Sequence, residues 1–174
     1  IGYHLVGLPD SAIKESSYRI AAALKNNNYE LPGKKITINM APADLRKEGS
    51  AYDLTLAVGI LVASYQIKAE TLSEYVIMGE LSLDGGLQPI KGALSIAIKA
   101  KEEGFKGLFL PIQNVKEAAI VEGLDVYGIE NVMQIIDFFE GRGTIEPTVI
   151  DTKEEFSKTL EFPEFDFSDV KGQE

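Results

Sequence analysis

The chain has 174 residues, 45% of them hydrophobic and 25% charged, a composition typical of one soluble globular domain with or without a tail. Its formal net charge of −10 argues against tight binding of a nucleic-acid phosphate backbone by this chain alone. The sequence contains no cysteine, which excludes disulfides, zinc ribbons and thiol catalysis. Its single histidine, His4, leaves no basis for a Ser-His-Asp triad or a multi-histidine metal site.

The first forty residues predict a strand, a helix and a second strand. The strand covers residues 3–8 and is closed by Pro9, and the helix runs from a cap at Asp10 or Ser11 to about Asn26. Residues 36–40 alternate between apolar and polar types, which indicates a half-buried strand. Several basic residues in this part read as a solvated surface, namely Lys14, Arg19, Lys25, Lys34 and Lys35.

Residues 42–61 form the stretch around which the chain is organised. A polar loop leads to a small-residue turn, and a nearly continuous apolar run follows from Leu54 to Ala63. Only Thr55 and Gly59 interrupt that run, so the sequence predicts a helix buried on all sides that ends near residues 64–66. Asp53 is the expected N-cap of this helix.

The second half of the chain predicts further alternation of strands and helices. Strands are expected at residues 75–83, 107–111 and 126–129, and Asp84-Gly85-Gly86 indicates a hairpin turn into residues 87–90. Three helices are expected. The first has one stripe of Leu94, Ala97, Ile98 and Lys101, and the second begins with a capping box of Asn114 and Glu117. The third is capped by Asn131 and has Val132, Ile135, Ile136 and Phe139 on one face. This alternation indicates an α/β fold.

The last residues differ in character from the rest. Residues 144–174 contain nine acidic residues, two prolines and isolated phenylalanines without a sustained period, which is typical of a linker. Its phenylalanines offer the alternative that this segment docks on the domain; they are Phe156, Phe162, Phe165 and Phe167.

The sequence has residues that bear on three kinds of chemistry. The glycine pairs match neither the P-loop nor the dinucleotide-binding pattern, so no nucleotide site is predicted. Asp44, Glu48 and Asp53 offer oxygen ligands for Mg²⁺, although acidic residues near a helix start are also favoured by the helix dipole. Ser50 is the candidate nucleophile, and without a usable histidine its base must be a lysine, for which Lys91 is the positional candidate.

Two motifs carry a resemblance to a known fold. Lys47-Glu48-Gly49-Ser50-Ala51 before an apolar helix, and the run from Gly79-Glu80-Leu81 through Gly85-Gly86-Leu87 to Ile90-Lys91-Gly92, resemble the proteolytic domain of Lon proteases. That resemblance implies the ribosomal protein S5 domain 2-like α/β fold, a mixed sheet with packed helices.

A closer resemblance is to the N-terminal domain of magnesium-chelatase-like AAA+ ATPases, the YifB/ComM competence group. It rests on Val6-Gly7-Leu8-Pro9-Asp10, Lys14-Glu15-Ser16, Lys47-Glu48-Gly49 and the run from Ile38-Asn39-Met40 to Pro42-Ala43-Asp44-Leu45. It covers residues 1–143 as a Lon-like domain, with its first strands expected upstream. Residues 165–174 resemble the start of the AAA+ module, so residues 144–174 are expected to lead into it.

The resemblance to Lon proteases also bears on whether Ser50 is the nucleophile. Laid without gaps on this chain, the Lon nucleophile falls on Ala51 and the Lon lysine falls on Leu94. Ser50 and Lys91 each lie away from those positions. The resemblance therefore implies a degenerate dyad, and leaves Lys47, Glu48, Gly49 and Ser50 as a loop suited to contact rather than catalysis.

The family resemblance implies the following expectations. The intact protein would be a cytoplasmic ATPase that forms a homo-oligomeric ring, a hexamer, and acts on DNA in branch migration, natural transformation or recombination. ATP and Mg²⁺ would bind the AAA+ module, whereas this domain would have no cofactor or metal, would not contact a membrane, and would serve assembly or substrate guidance. Two alternatives stay open: a Ser50/Lys91 peptidase, and a protein-interaction adaptor without a DNA role.

Overall fold

A computed structural model of the chain describes residues 3–150. Within them it confirms a mixed α/β architecture of parallel strands and packed helices. The strands are β1 (Tyr3–Val6), β2 (Ile36–Asn39), β3 (Tyr75–Ile77), β4 (Glu80–Leu81), β5 (Leu87–Gln88), β6 (Gly107–Pro111) and β7 (Asp125–Ile129). The helices are α1 (Ser11–Asn26), α2 (Asp53–Ala63), α3 (Ala93–Glu102), α4 (Val115–Ala118) and α5 (Val132–Phe139), with 3-10 turns at Leu72–Glu74 and Ile112–Asn114.

The strands pair in three groups. β1 and β2 are parallel, and β3, β6 and β7 form a parallel sheet in the order β3-β6-β7. β4 and β5 form the antiparallel hairpin that the Asp84-Gly85-Gly86 turn predicts. No helix within residues 3–150 has the length and apolar character that crossing a membrane requires.

The β1–α1–β2 unit is held together by close backbone contacts. Asp10 caps α1, as predicted, by accepting a hydrogen bond from the Ile13 N–H. Just after β1, Gly7 has φ +110, and a Cβ at this position would lie 2.2 Å from the carbonyl oxygen of Met40. Only glycine fits here, because the ends of the two strands approach each other without room for a side chain.

Helix α2 is buried except for one stripe. Its buried side chains come from every other face and are Asp53, Leu54, Leu56, Ala57, Val58, Ile60 and Leu61. The prediction of a helix buried on all sides was therefore wrong along Thr55, Gly59 and Ala63, which are exposed. These three residues recur at four-residue spacing and so share one face.

Two elements of the second half differ from their predictions. The expected strand at 75–83 is broken after β3, because Gly79 turns its N–H to the Ala51 carbonyl and its carbonyl to the Leu54 N–H. Helix α3 buries Ala93, Ala97 and Ala100, whereas Leu94 and Ile98, expected on the buried stripe, are exposed. Small side chains let α3 lie close against its neighbours.

An aromatic cluster joins the β3-β6-β7 sheet to α5. Tyr75 has ring centroids of four other residues within 6.0 Å, namely Phe109, Tyr127, Phe138 and Phe139. Helix α5 begins with the predicted cap at Asn131, in a capping box completed by Gln134. Rings and cap together fix α5 on the sheet.

The described chain ends along the last strand of this sheet. The Thr148 N–H donates to the Val126 carbonyl oxygen at 2.8 Å. The docking expected of Phe156, Phe162, Phe165 and Phe167 concerns residues outside the described range.

Candidate functional site

The loop before α2 is fastened to the start of α1. Asp10 bonds both elements, since its Oδ1 accepts from the Ile13 N–H and its Oδ2 accepts from the Gly49 N–H, each at 2.9 Å. Two backbone bonds support it: the Asp10 N–H donates to the Lys47 carbonyl at 3.1 Å, and the Lys47 N–H donates to the Leu8 carbonyl at 3.3 Å. One carboxylate therefore caps a helix and positions the loop.

Electrostatics and backbone geometry favour this arrangement. Partial burial opposes the charge of Asp10, but the N–H groups of Ile13 and Gly49 stabilise it and lower the pKa of its carboxyl. Gly49 has φ +83, a left-handed conformation that suits glycine. The position of Gly49 in the predicted contact loop thus has a conformational reason.

The other residues of the predicted contact loop have different surroundings. The Lys47 side chain is buried, and its Nζ donates to the Pro42 carbonyl oxygen. Glu48 is exposed and pairs with Arg46 at 3.0 Å, an ion pair too solvated to add much stability. Only part of this loop is therefore free to meet a partner.

Ser50 has an acidic neighbour rather than a basic one. Its hydroxyl donates to the Glu80 carboxylate, on the strand β4 that follows Gly79. Lys91 is exposed, and among residues 3–150 no hydrogen bond joins it to Ser50. A carboxylate next to the hydroxyl does not supply the desolvated lysine that a Ser–Lys pair requires.

The two positions onto which the sequence resemblance places the Lon dyad, Ala51 and Leu94, have aliphatic side chains. Ala51 packs against the apolar cluster beneath α3, and its carbonyl accepts from the Gly79 N–H at 2.7 Å. Leu94 is 36% exposed, and its backbone N–H donates to the Glu117 carboxylate at 3.1 Å. Neither side chain has a nucleophilic or basic atom, so these positions cannot perform the Lon chemistry.

Asp53 does not cap α2; that prediction was wrong. Tyr52 is the N-cap residue, and Asp53 is the first helical residue, fully buried. Its carboxylate accepts from Arg19 Nε at 2.6 Å, from Arg19 Nη2 at 3.0 Å and from the Leu81 N–H at 3.3 Å. The bidentate bond joins α1 to α2.

Burial raises the pKa of the Asp53 carboxyl, although the bonds from Arg19 oppose that shift. Hydrogen bonding to Asp53 raises the pKa of Arg19 in turn. Because Asp53 is committed to Arg19, it does not join Asp44 and Glu48 in a magnesium site. Within the described residues no group of three acidic or histidine side chains is placed to hold a metal ion.

Sequence reasoning missed several polar contacts near the loop. Arg19 was placed on a solvated surface, and Glu80 was given no role. The prediction of a capping box of Asn114 and Glu117 was wrong. The Asn114 side chain accepts from the Ile90 N–H and donates to the Ile90 carbonyl, both at 2.8 Å. The Glu117 carboxylate accepts from the Leu94 N–H in the first turn of α3. The one signal for such long-range bonds was the presence of charged and amide side chains inside apolar runs.

Comparison with known proteins gives two kinds of match. The sequence model of the family described as "Subunit ChlI of Mg-chelatase" matches residues 1–114. The chain is 40% identical over 174 residues to the uncharacterized protein YifB of Escherichia coli, covering 99% of this chain and 33% of that protein. It is 35% identical over 173 residues to the competence protein ComM of Haemophilus influenzae, covering 99% of this chain and 34% of ComM.

A more distant match is to the peroxisomal Lon protease homolog 2 of Oryza sativa subsp. indica, 26% identical over 163 residues. That match covers 83% of this chain and 18% of the rice protein. The chain spans about a third of the length of YifB and ComM. The matches to YifB and ComM therefore cover only one part of each of those proteins.

Proposed function

Because the chain belongs to the family of the ChlI subunit of magnesium chelatase, we propose that it is the non-catalytic N-terminal domain of an ATP-dependent AAA+ motor acting on DNA. In this proposal the domain serves assembly of the motor or guidance of its substrate. The similarity to a competence protein supports a role in natural transformation or recombination, through branch migration or a helicase activity. The proposed fold is the S5 domain 2-like fold, supported by the similarity to a Lon protease homolog.

The observation that carries the non-catalytic assignment is the chemistry at the dyad positions. Ala51 packs in an apolar cluster and Leu94 replaces the lysine, while the neighbouring Ser50 donates to Glu80. The Ser–Lys chemistry of Lon proteases needs a lysine within about 3 Å of the serine hydroxyl, in hydrogen-bond reach. Glu80 orients the Ser50 hydroxyl and leaves it without a lysine partner.

The rest of the proposal concerns the intact protein. Residues 165–174 resemble the start of an AAA+ module, and that module would bind ATP and Mg²⁺. Neighbouring subunits would assemble a cytoplasmic homo-oligomeric ring, a hexamer, on DNA. The exposed Glu48 of the contact loop and its neighbour Arg46 would lie against the module or the next subunit.

The central experiment compares the intact protein with a form lacking residues 1–143. We expect the deletion to reduce both ring assembly, measured by analytical ultracentrifugation, and ATP-dependent branch migration of a synthetic junction. Equal assembly and equal branch migration in the two forms would refute the assignment. Assembly that depends on the domain, with no action on DNA in either form, would favour the adaptor without a DNA role.

A point variant separates the loop from the domain as a whole. The double variant Arg46→Ala/Glu48→Ala removes two exposed charges in and beside the contact loop. The control is the double variant Lys101→Ala/Glu102→Ala, which removes one positive and one negative charge from the exposed face of α3. We expect the loop variant alone to weaken assembly or branch migration. If both variants behave alike, the loop has no special role.

The peptidase alternative is tested on its own. Wild type and Ser50→Ala are incubated with an unfolded protein substrate, and new amino termini are counted by mass spectrometry. We expect no cleavage that depends on Ser50. Cleavage lost in Ser50→Ala and in Lys91→Met would establish the peptidase instead.

A further inference from the structure

A groove lies between the edge of β2 and the exposed stripe of α2. It has a volume of about 880 Å³. All of residues 36–41 border it, so both faces of β2 contribute and the strand edge forms a wall. The floor comes from one face of the α2 region: Tyr52, Thr55, Leu56, Gly59, Ile60 and Ala63.

The wall of this groove is an unpaired strand edge. β2 pairs with β1 on one side, and within the described residues no strand pairs with its other side. An exposed edge presents a row of backbone N–H and C=O groups, which an extended segment can pair with. Space for such a segment is present, because a Cβ placed on Gly59 would meet no atom within 4 Å.

The charge of the groove is opposite to that of the chain. Its lining includes Lys34, Lys35 and Lys47 and no aspartate or glutamate. The whole chain carries 27 acidic residues against 17 lysines and arginines. An acidic segment is therefore attracted to this part of an otherwise acidic molecule.

Lys47 gives the strongest indication of an anionic occupant. The residue is only 9% exposed, and the one acceptor of its ammonium group within residues 3–150 is the uncharged carbonyl of Pro42. A buried ammonium without a carboxylate partner is unfavourable, and an incoming carboxylate would relieve that cost. Lys47 is thus the lining residue that a carboxylate in the groove would pair with.

We propose that residues 154–164 of this chain bind in the groove as a strand added to the edge of β2. The sequence of this segment is Glu-Glu-Phe-Ser-Lys-Thr-Leu-Glu-Phe-Pro-Glu. Its apolar residues Phe156, Leu160 and Phe162 share one face of an extended strand with Glu154, Lys158 and Glu164, because side chains alternate at period two. The opposite face has Glu155, Ser157, Thr159 and Glu161.

The match between segment and groove has two parts. The three apolar side chains of this face cover the exposed stripe of α2, and Glu164, which lies on the same face, supplies a carboxylate for the lysines of the groove. With four glutamates and one lysine the segment has a net charge of −3, opposite to the groove. Covalent attachment raises its effective concentration at the groove, so modest contacts suffice.

A nucleic acid is the less favoured occupant. A phosphate backbone needs a row of exposed cations, whereas this groove has an apolar floor and only two exposed lysines, Lys34 and Lys35. The inference does not depend on the proposed motor function, since it concerns contacts of the 174-residue chain with its own segment.

Zero-length carbodiimide coupling of the 174-residue chain tests the contact directly, because it joins a carboxylate to an amine only where they touch. We expect mass spectrometry to find the glutamates of residues 154–164 coupled to Lys34, Lys35 or Lys47, within one molecule or between copies. Coupling of these glutamates only to distant lysines such as Lys99 and Lys101 would overturn the proposal.

Hydrogen exchange of the β2 amides gives a second measurement. Replacing Phe156, Leu160 and Phe162 together by serine changes only the segment and leaves the folded domain intact. We expect β2 amides on the free edge to exchange about tenfold faster in this variant than in wild type. Gly59→Phe, which fills the groove, should abolish the coupling to its lysines, whereas Gly59→Ala should preserve it.

An oligothymidylate of about 12 nucleotides serves as the competing probe. We expect it to leave the carbodiimide coupling unchanged. If it protects Lys34 and Lys35 equally in wild type and in the triple-serine variant, and the segment itself shows no coupling, the groove is a nucleic-acid site and the proposal fails.

Discussion

The N-terminal end of helix α2 and the exposed stripe along it have opposite surroundings. At its N-terminal end three residues have protein partners: Asp53 binds Arg19, Ser50 binds Glu80, and Gly79 bonds the backbone of Ala51 and Leu54. Along its exposed stripe, Thr55, Gly59 and Ala63 face an open groove. The end that resembles an active site is thus satisfied by contacts within the domain, whereas the exposed stripe borders a groove with room for a further segment.

Removing the Asp53 carboxylate at the N-terminal end of α2 should lower the free energy of unfolding more than the other changes described below. Asp53→Ala leaves the Arg19 guanidinium, 21% exposed, without its bidentate partner. Removing one member of such a pair costs about 3 kcal/mol or more of unfolding free energy. Urea denaturation followed by circular dichroism measures it. Arg19→Met in the Asp53→Ala background should recover part of the loss, and a loss below about 1 kcal/mol would place the pair among weak surface ion pairs.

A change at the loop should cost less. Gly49→Ala forces an alanine into φ +83, at about 1–2 kcal/mol in the free energy of unfolding. Gly33→Ala is the matched control, because its φ is not left-handed and a Cβ there meets nothing within 4 Å. Thermal denaturation of both variants makes the comparison. Equal stability of the two would mean that the loop relaxes without cost.

A change on the open flank should stabilise the protein slightly. Gly59→Ala adds a methyl group into empty space and improves the helix propensity of α2. We expect a gain of about 0.5–1 kcal/mol in the same denaturation experiment. A loss of stability would contradict the absence of neighbouring atoms around a Cβ at position 59.

The smallest effect is a pH dependence at Asp10. Its folded pKa lies below the unfolded value, so its stabilising contribution is present above the unfolded pKa and is lost as the pH falls through the folded one. Asp10→Asn keeps a cap for α1 but cannot titrate. The stability difference between wild type and this variant should shrink on acidification from pH 7 to about 3. A constant difference would exclude the carboxylate as its source.

Local patterns predicted most elements of this fold. The cap at Asn131, the strand at residues 107–111 and the helix from Ser11 to Asn26 depend on neighbours in sequence, and all three are confirmed within a residue or so. The mixed α/β class followed from their alternation. The finer fold assignment rests on family resemblance and stays a proposal.

The two errors in helix capping share one physical cause, which is that polar side chains bonded distant partners instead of nearby backbone. Asp53 and Asn114 are both typical N-cap residues, yet Asp53 pairs with Arg19, 34 positions away, and Asn114 bonds Ile90, 24 positions away. Spacing along the chain contains no record of such partners. The groove was equally invisible, because it is a gap between β2 and α2.

The aromatic cluster around Tyr75 gives the molecule a built-in reporter. The sequence has no tryptophan, so near-ultraviolet circular dichroism arises from tyrosine and phenylalanine, and the packed rings of Tyr75, Phe109 and Tyr127 should dominate it. That signal follows the β3-β6-β7 half of the protein, whereas the far-ultraviolet signal follows all helices. Equal midpoint temperatures for the two signals on heating will show that the domain unfolds as a single cooperative unit, and different midpoints will show that it does not.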